Sequence, residues 1–383
     1  MKFLLLPFMW LFVLITKFRN FLYDKNILKT TYFDFPIINV GNLTVGGTGK
    51  TPHVEFLVRF FLESFNDEYQ INVLSRGYGR KTKGFLLAND TTSATEIGDE
   101  PQQYFEKFGD KINVVVCENR VLGATLIQDL IQDLGKNLHQ KNNQNNQKQN
   151  LIILDDAFQH RAIGRNVDIL LTDYKRLFYD DFPFPVGRLR EQRKNAQRAD
   201  FVVVSKCFAD ISKNEMNKIQ AHIQAYTGAE KPVFFTKITY GNPINLISNL
   251  EENFMENTQW GMPHCQNPTI ILLSGIAQPQ LFEDFCKENF PQKHTIKNHF
   301  IFPDHHQYTQ KNITKISVFI ENLEEKNIQN IKILTTEKDA VNLRKLLPQK
   351  LESIFYYLPI MVDFIEKKED FLQLLVNKMT KNN

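Results

Sequence analysis

The segment that most constrains this chain is PIINVGNLTVGGTGKTP, residues 36 to 52. An apolar run (36–40) leads into Thr44-Val45-Gly46-Gly47-Thr48-Gly49-Lys50-Thr51, after which Val54, Leu57, Val58 and Phe61 recur at helical spacing. The pattern predicts a buried strand, a glycine-rich turn and a helix with one apolar face. The turn fits the phosphate-loop pattern G-x-x-x-x-G-K-[ST] at every position but the first, where Thr44 stands in place of Gly. Small residues let backbone N–H groups curl around phosphates, and Gly46, Gly47 and Gly49 meet that need. Lys50 is the residue type that bridges β- and γ-phosphates, and the Thr51 hydroxyl suits Mg²⁺.

The same strand-then-helix rhythm continues through INVL (71–74), INVVV (112–116), LIIL (151–154), VDILL (167–171) and FVVVS (201–205). These runs are apolar throughout instead of alternating, as strands buried on both faces of a parallel sheet require. The expected fold is therefore α/β: a P-loop NTPase with a doubly wound, mostly parallel sheet. A second series, PVFFTKI (232–238), TIILLSG (269–275), IKILTT (331–336) and IFYYLPI (354–360), predicts a smaller α/β lobe. The expected division is 1–30 for an N-terminal helix, 31–230 for the P-loop domain and 231–383 for the second lobe. Residues 137–150 contain ten Asn or Gln in fourteen and read as a disordered insertion, since they cannot bury enough apolar area to order themselves.

Residues 3–16, FLLLPFMWLFVLIT, are 14 uncharged residues. As helix they span about 21 Å, short of a hydrocarbon core of about 30 Å. No small-residue cleavage site follows, so the segment is expected to be retained. Lys17 and Arg19 then mix with Phe18, Phe21 and Tyr23, which suits a headgroup boundary on the cytoplasmic side. The chain carries 46 Lys and Arg against 43 Asp and Glu, and its first 35 residues hold five basic and two acidic residues, the whole of the surplus. The balanced remainder argues against nucleic acid as a partner. Cys117, Cys207, Cys265 and Cys286 are far apart and suggest neither a zinc site nor a disulfide framework.

A P-loop needs an acid on the metal side at the end of a neighbouring strand, and LIILDDAFQHR (151–161) offers Asp155 and Asp156; which of them meets the metal stays open. SRGYGR (75–80) puts Arg76, Tyr78 and Arg80 after the second strand, where α/β ligands bind. IGDEP (97–101) brings Asp99 and Glu100, PVGRLRE (185–191) brings Arg190 and Glu191, and FPDHHQY (302–308) brings His305. Taken singly, each of these is equally an ordinary turn or helix cap.

In conjunction and in this order, GNLTVGGTGKTP, SRGYGR, GDEP, ENR (118–120), DDAFQHR, GRLRE, SGIAQP (274–279), FPDHH and TTEKDAV (335–341) resemble the tetraacyldisaccharide 4'-kinases. Ala157 departs from the Gly usual after the paired Asp. The resemblance implies a kinase at the cytoplasmic face of the inner membrane. It implies transfer of the γ-phosphoryl group of ATP, with Mg²⁺, to the 4'-hydroxyl of an acylated glucosamine disaccharide 1-phosphate, a lipid A precursor. It implies ATP binding by Thr44 to Thr51, with Thr51, Asp155 and Asp156 on the metal side. Asp99 resembles the catalytic base and His305 its partner from the other lobe, so that the pair forms when the lobes close. Arg76, Tyr78, Glu100, Arg120, Gln159, His160, Arg190 and Glu191 resemble nucleotide, phosphate or glycolipid contacts.

Two P-loop rivals lack a defining residue. A membrane-bound switch of the partitioning-ATPase kind wants a Lys directly before the paired glycines, where this chain has Val45. A GTPase wants N-K-x-D after a late strand, and VVVSKCF (202–208) offers Lys206 but Phe208 where Asp belongs.

Overall fold

The computed structural model describes residues 2–139, 148–248, 268–276, 279–289, 295–304, 306–328 and 330–380. The chain forms two compact units, Met1–Ile238 with Val362–Asn383, and Thr239–Met361. The last residues of the chain thus return to the first unit, whereas the sequence reading kept everything after 231 in the second lobe. The reason lies in the run IFYYLPI: Pro359 divides it, and the two halves serve different sheets.

The first unit contains α1 (Leu6–Asp24), β1 (Ile37–Asn42), α2 (Lys50–Ser64), β2 (Tyr69–Ser75), β3 (Leu86–Leu87), α3 (Ala94–Ile97), α4 (Asp99–Phe108), β4 (Asn113–Val116), α5 (Arg120–His139), β5 (Gln149–Asp155), β6 (Val167–Asp173), β7 (Phe201–Ser205), α6 (Lys213–Thr227) and most of β8 (Val233–Tyr240). The second contains β9 (Ile244–Asn245), β10 (Thr269–Ser274), α7 (Pro279–Asn289), β11 (Thr295–Ile301), α8 (Gln310–Glu324), β12 (Ile331–Thr336), α9 (Glu337–Leu343), α10 (Gln349–Glu352) and β13 (Phe355–Leu358). β14 (Ile360–Phe364) and α11 (Lys368–Thr380) complete the first unit.

The nine-stranded sheet runs β14-β8-β7-β6-β1-β5-β2-β4-β3. The strands from β8 to β4 pair in parallel, and β3 joins antiparallel at the edge. Alternate residues bury on opposite faces. Ile38, Val40, Ile153, Ile169 and Val203 meet Val54, Leu57, Val58 and Phe61 of α2 together with Phe371 and Leu375 of α11. Ile37, Ile152 and Leu154 meet Ala124 and Ile127 of α5, while Leu170, Val202 and Val204 meet Met216, Ile219 and Ile223 of α6. Burial on both faces is what makes each of these strands a continuous apolar run. The second sheet, β11-β10-β12-β13-β9, is parallel except for β9.

Both ends of the Asn/Gln-rich tract are helix and strand, where the sequence reading expected disorder. Residues 137–139 close α5 and 149–150 open β5, while 140–147 lie outside the described residues, as does Cys265. Cys117, Cys207 and Cys286 are buried free thiols. α1 runs past the uncharged stretch to Asp24, buries Met9, Val13 and Asn20, and exposes Phe8, Trp10, Leu11, Leu14, Ile15, Phe18 and Phe21. Among the described residues no helix is long and apolar enough to cross a membrane.

Candidate active site

β1 is central, and the chain crosses over to opposite sides of it, so the crevice beyond its carboxyl end is where a doubly wound sheet takes its ligand. Val40 pairs with Asp155, which sets the end of β5 beside the start of the glycine-rich loop. Gly46 and Gly49 have φ of +110° and +77°, conformations that side chains disfavour, and α2 opens at Lys50. Asn42 Nδ2 donates to Thr48 Oγ1 at 2.7 Å inside the loop. Thr44 is buried and bridges Leu189, which anchors the loop's first residue to the segment carrying Arg190.

Lys50 Nζ lies 3.7 Å from Asp156 Oδ2, and Arg190 Nη1 donates to Asp156 Oδ1 at 2.7 Å. Asp156 holds φ of +54°, with its N–H given to Val40 O at 3.0 Å. Gln159 is 3.5 Å from Arg190 Nη1 through Oε1 and donates through Nε2 to Asn42 O at 2.8 Å. Asp155 points inward and is 5% exposed; Ser75 Oγ reaches its Oδ2 at 3.4 Å, while its buried Oδ1 has no hydrogen-bond partner among the described residues. Burial first, then the charge of Asp156, pushes the Asp155 carboxyl up to about 7, with Lys50 opposing.

This donor set fits Mg²⁺. The described residues hold no cluster of three metal-ligating side chains, yet Mg²⁺ at a phosphate needs one or two carboxylates, water and phosphate oxygens. The orphaned Asp155 Oδ1 and the Thr51 hydroxyl at the loop's end supply that protein share, and a divalent cation would relieve the cost of the buried carboxylate.

On the far side of β5, a Cβ on Gly77 (φ +68°) would sit 2.7 Å from Ile97 O, and one on Gly98 (φ +97°) 3.1 Å from Tyr78 O. The two glycines let the SRGYGR loop touch the turn that starts α4, where Asp99 and Glu100 occupy the first turn and the helix dipole favours their charge. Asp99 is half-buried. The field of Glu100 reaches both Asp155 and the buried Tyr104. Arg120, 3% exposed, gives Nη1 to Cys117 O and Glu118 O, and burial lowers it to about 10 against the attraction of Asp155 and Asp156. Burial, then Arg120, lowers His160 to about 4, with Arg165, Arg19 and Arg76 adding to the effect. Arg76 and Tyr78 are exposed.

Two expected residues stand apart. His305 lies outside the described residues. Glu191 is 2% exposed and faces the interior, where it accepts from Asn20, Asn195 and Arg198. Asn42, Ser75 and Tyr104 join the site without any sequence signal, because each is an ordinary polar residue whose relevance comes from its spatial neighbours.

A family model described as Tetraacyldisaccharide-1-P 4'-kinase matches residues 1–380. The chain belongs to that family. It is 39% identical over 374 residues to the tetraacyldisaccharide 4'-kinase of Flavobacterium psychrophilum, covering 97% of this chain and 95% of that one. The Cytophaga hutchinsonii protein of the same name is 38% identical over 99% of this chain and 96% of its own. Among solved structures, the "apo" form of LpxK from Aquifex aeolicus in complex with ATP superposes with a TM-score of 0.69 at 27% identity, covering 99% of each chain. Family membership removes the partitioning-ATPase alternative, and the ATP-bound structure of a family member accords with the glycine-rich loop described above.

Proposed function

We infer that this chain is an ATP-dependent kinase acting on the 4'-hydroxyl of an acylated glucosamine disaccharide 1-phosphate, the reaction its family is named for. One observation carries the reading: the Lys50–Asp156–Arg190 cluster and the buried Asp155 converge on a phosphate loop in a chain that matches the family from 1 to 380.

In this reading the loop and Lys50 hold the β- and γ-phosphates, while Thr51, Asp155 and Asp156 are the residues that would hold Mg²⁺. A cation bound there would offset charge on the transferring group. The sugar 4'-oxygen attacks the γ-phosphorus, the bond to the β–γ bridging oxygen breaks, ADP leaves, and the hydroxyl proton goes to Asp99. His305 is assigned as the partner of Asp99. Arg76, Tyr78, Glu100, Arg120, Gln159, His160 and Arg190 are assigned to the nucleotide and the anionic glycolipid head. The apolar side chains that α1 exposes suit the cytoplasmic leaflet of the inner membrane, where the acyl chains of the acceptor reside and ATP is available.

The test is phosphoryl transfer from Mg-ATP to an acylated and to a deacylated disaccharide 1-phosphate. No transfer to the acylated lipid sinks the function. An Asp99→Ala variant that keeps most of its turnover sinks the base assignment. Removal of residues 1–25 without change in membrane fractionation sinks the membrane assignment.

A further inference from the structure

A loop that turns its N–H groups inward around an anion turns its carbonyls outward, and those carbonyls need donors. Here all five from Val45 to Gly49 have one. Arg176 Nη2 donates to Val45 O at 3.3 Å. Thr48 N donates to Gly46 O at 3.0 Å, and Lys206 Nζ to Gly47 O. Ser205 Oγ donates to Thr48 O at 2.8 Å, and His53 Nδ1 to Gly49 O at 2.7 Å. The other nitrogen of His53 is 3.0 Å from Thr236 Oγ1 on β8. Apart from Thr48, which lies in the loop itself, the donors come from the carboxyl ends of β6 and β7 and, through His53, from a residue tied to β8.

Lys206 differs from the rest. Its backbone takes φ of +60°, rare for a residue with a side chain, directly after β7. Its ammonium is 3.1 Å from Asp173 Oδ2 at the end of β6, which fixes the cation over the loop. Among the described residues, a Cβ placed on Gly47 would meet nothing within 4 Å, so that side of the residue is open. Its carbonyl contact with Lys206 is one restraint on that part of the loop, beside the hydrogen bonds to Gly46 O and Thr48 O.

We propose that Lys206 is a positioning residue for ATP. It holds the Gly47 carbonyl, and with it the Gly47–Thr48 peptide whose N–H closes the turn onto Gly46 O, so that the loop's conformation is set before nucleotide arrives. Preorganisation of this kind lowers the ordering cost of binding and acts on nucleotide affinity more than on the chemical step. The inference rests on the kinase reading above for its ligand, ATP.

The experiment measures ATP binding to the full chain by calorimetry, and steady-state kinetics with the lipid acceptor. Lys206→Ala is expected to raise the Kd and KM for ATP about tenfold, as the loss of one charged hydrogen bond implies. The KM for the lipid should move less than twofold, and Lys206→Arg should recover most of the ATP affinity. Because the side chain is about one-third exposed, the alanine variant is expected to fold; if it does not, Lys206→Gln carries the test. Wild-type ATP affinity in Lys206→Ala overturns the proposal, and so does an equal rise in the KM values for ATP and lipid. Wild-type protein that binds no ATP overturns the kinase reading instead.

Discussion

The orientation of Glu191 allows a sharp test, because the family resemblance assigns it to ligand contacts while its surroundings are interior. Its Oε2 accepts from Arg198 Nη1 at 2.8 Å, Asn195 Nδ2 at 2.7 Å and Asn20 Nδ2 at 3.3 Å. The side chain is 3% exposed and that of Arg198 16%, so the pair is largely withdrawn from water. Truncation to Ala leaves Arg198 without its counter-charge, a loss of about 3–5 kcal/mol. Glu191→Gln keeps the shape and one acceptor, and should lose about 1–2 kcal/mol as charged hydrogen bonds become neutral ones. At roughly 2–4 °C per kcal/mol for a unit of this size, Glu191→Gln melts about 2–8 °C lower and Glu191→Ala about 6–20 °C lower. The assay pairs thermal unfolding with kinetics at a temperature where Glu191→Gln is fully folded. Its KM for lipid and for ATP should stay within about twofold of wild type. An unchanged melting temperature with a raised lipid KM would refute the interior role and restore Glu191 to the substrate.

Asp155→Asn removes a buried carboxylate with an orphaned oxygen, so activity should fall about 10²-fold or more while the melting temperature holds or rises; a less stable variant would show that the charge is well compensated in the free protein. Gly77→Ala puts a Cβ 2.7 Å from Ile97 O at positive φ, and is expected to cost more than about 1 kcal/mol and to lower activity by shifting the turn that carries Asp99; wild-type activity would separate that turn from the chemistry. Phe61→Ala, fully buried between α2 and the sheet, should cost about 3–5 kcal/mol in urea denaturation. Burial pushes the Asp339 carboxyl above its ordinary value, so its folded form holds a proton to higher pH than the unfolded chain does. Its stabilising contribution is present at acid pH and is lost as pH rises through the folded value. The stability of Asp339→Asn, followed by urea denaturation across pH, should therefore decline less over that rise than wild type; parallel curves would count against the shift.

The strands legible in the sequence are those whose burial on both faces favours apolar side chains at successive positions, such as VVV in β4 and FVVV in β7. β11 is not legible because TIKNHFI carries Lys297, Asn298 and His299 on a strand that, among the described residues, lies at the sheet edge against β10. β14 is hidden because it continues the apolar run of β13 beyond Pro359, yet joins a different sheet. The phosphate loop was legible because its chemistry is local: the glycines, the Lys and the Thr are consecutive. Two of the donors behind it, Arg176 and Ser205, stand 131 and 157 residues away in sequence from the carbonyls they serve, and no spacing rule reaches that far.

Pairs of adjacent polar residues show the limit of linear reading most clearly. In an extended segment, successive side chains point to opposite sides. In the bent GRLRE segment neighbours divide as well: Leu189 is fully buried, Arg190 reaches Asp156, and Glu191 turns inward to Arg198. Two charged residues side by side therefore divide between the site and its support. The same division governs Asp155 and Asp156. Asp155 ends β5 in the extended state and buries its carboxylate, whereas Asp156 takes the left-handed conformation and swings toward Lys50 and Arg190. Asp156 already has two cationic partners, while Oδ1 of Asp155 has no donor, so Asp155 is the one of the pair with coordination capacity to spare. On that argument, charge-neutral Asn at 155 should weaken Mg²⁺ dependence more than Asn at 156, and a Mg²⁺ titration of kinase activity in the two variants decides it.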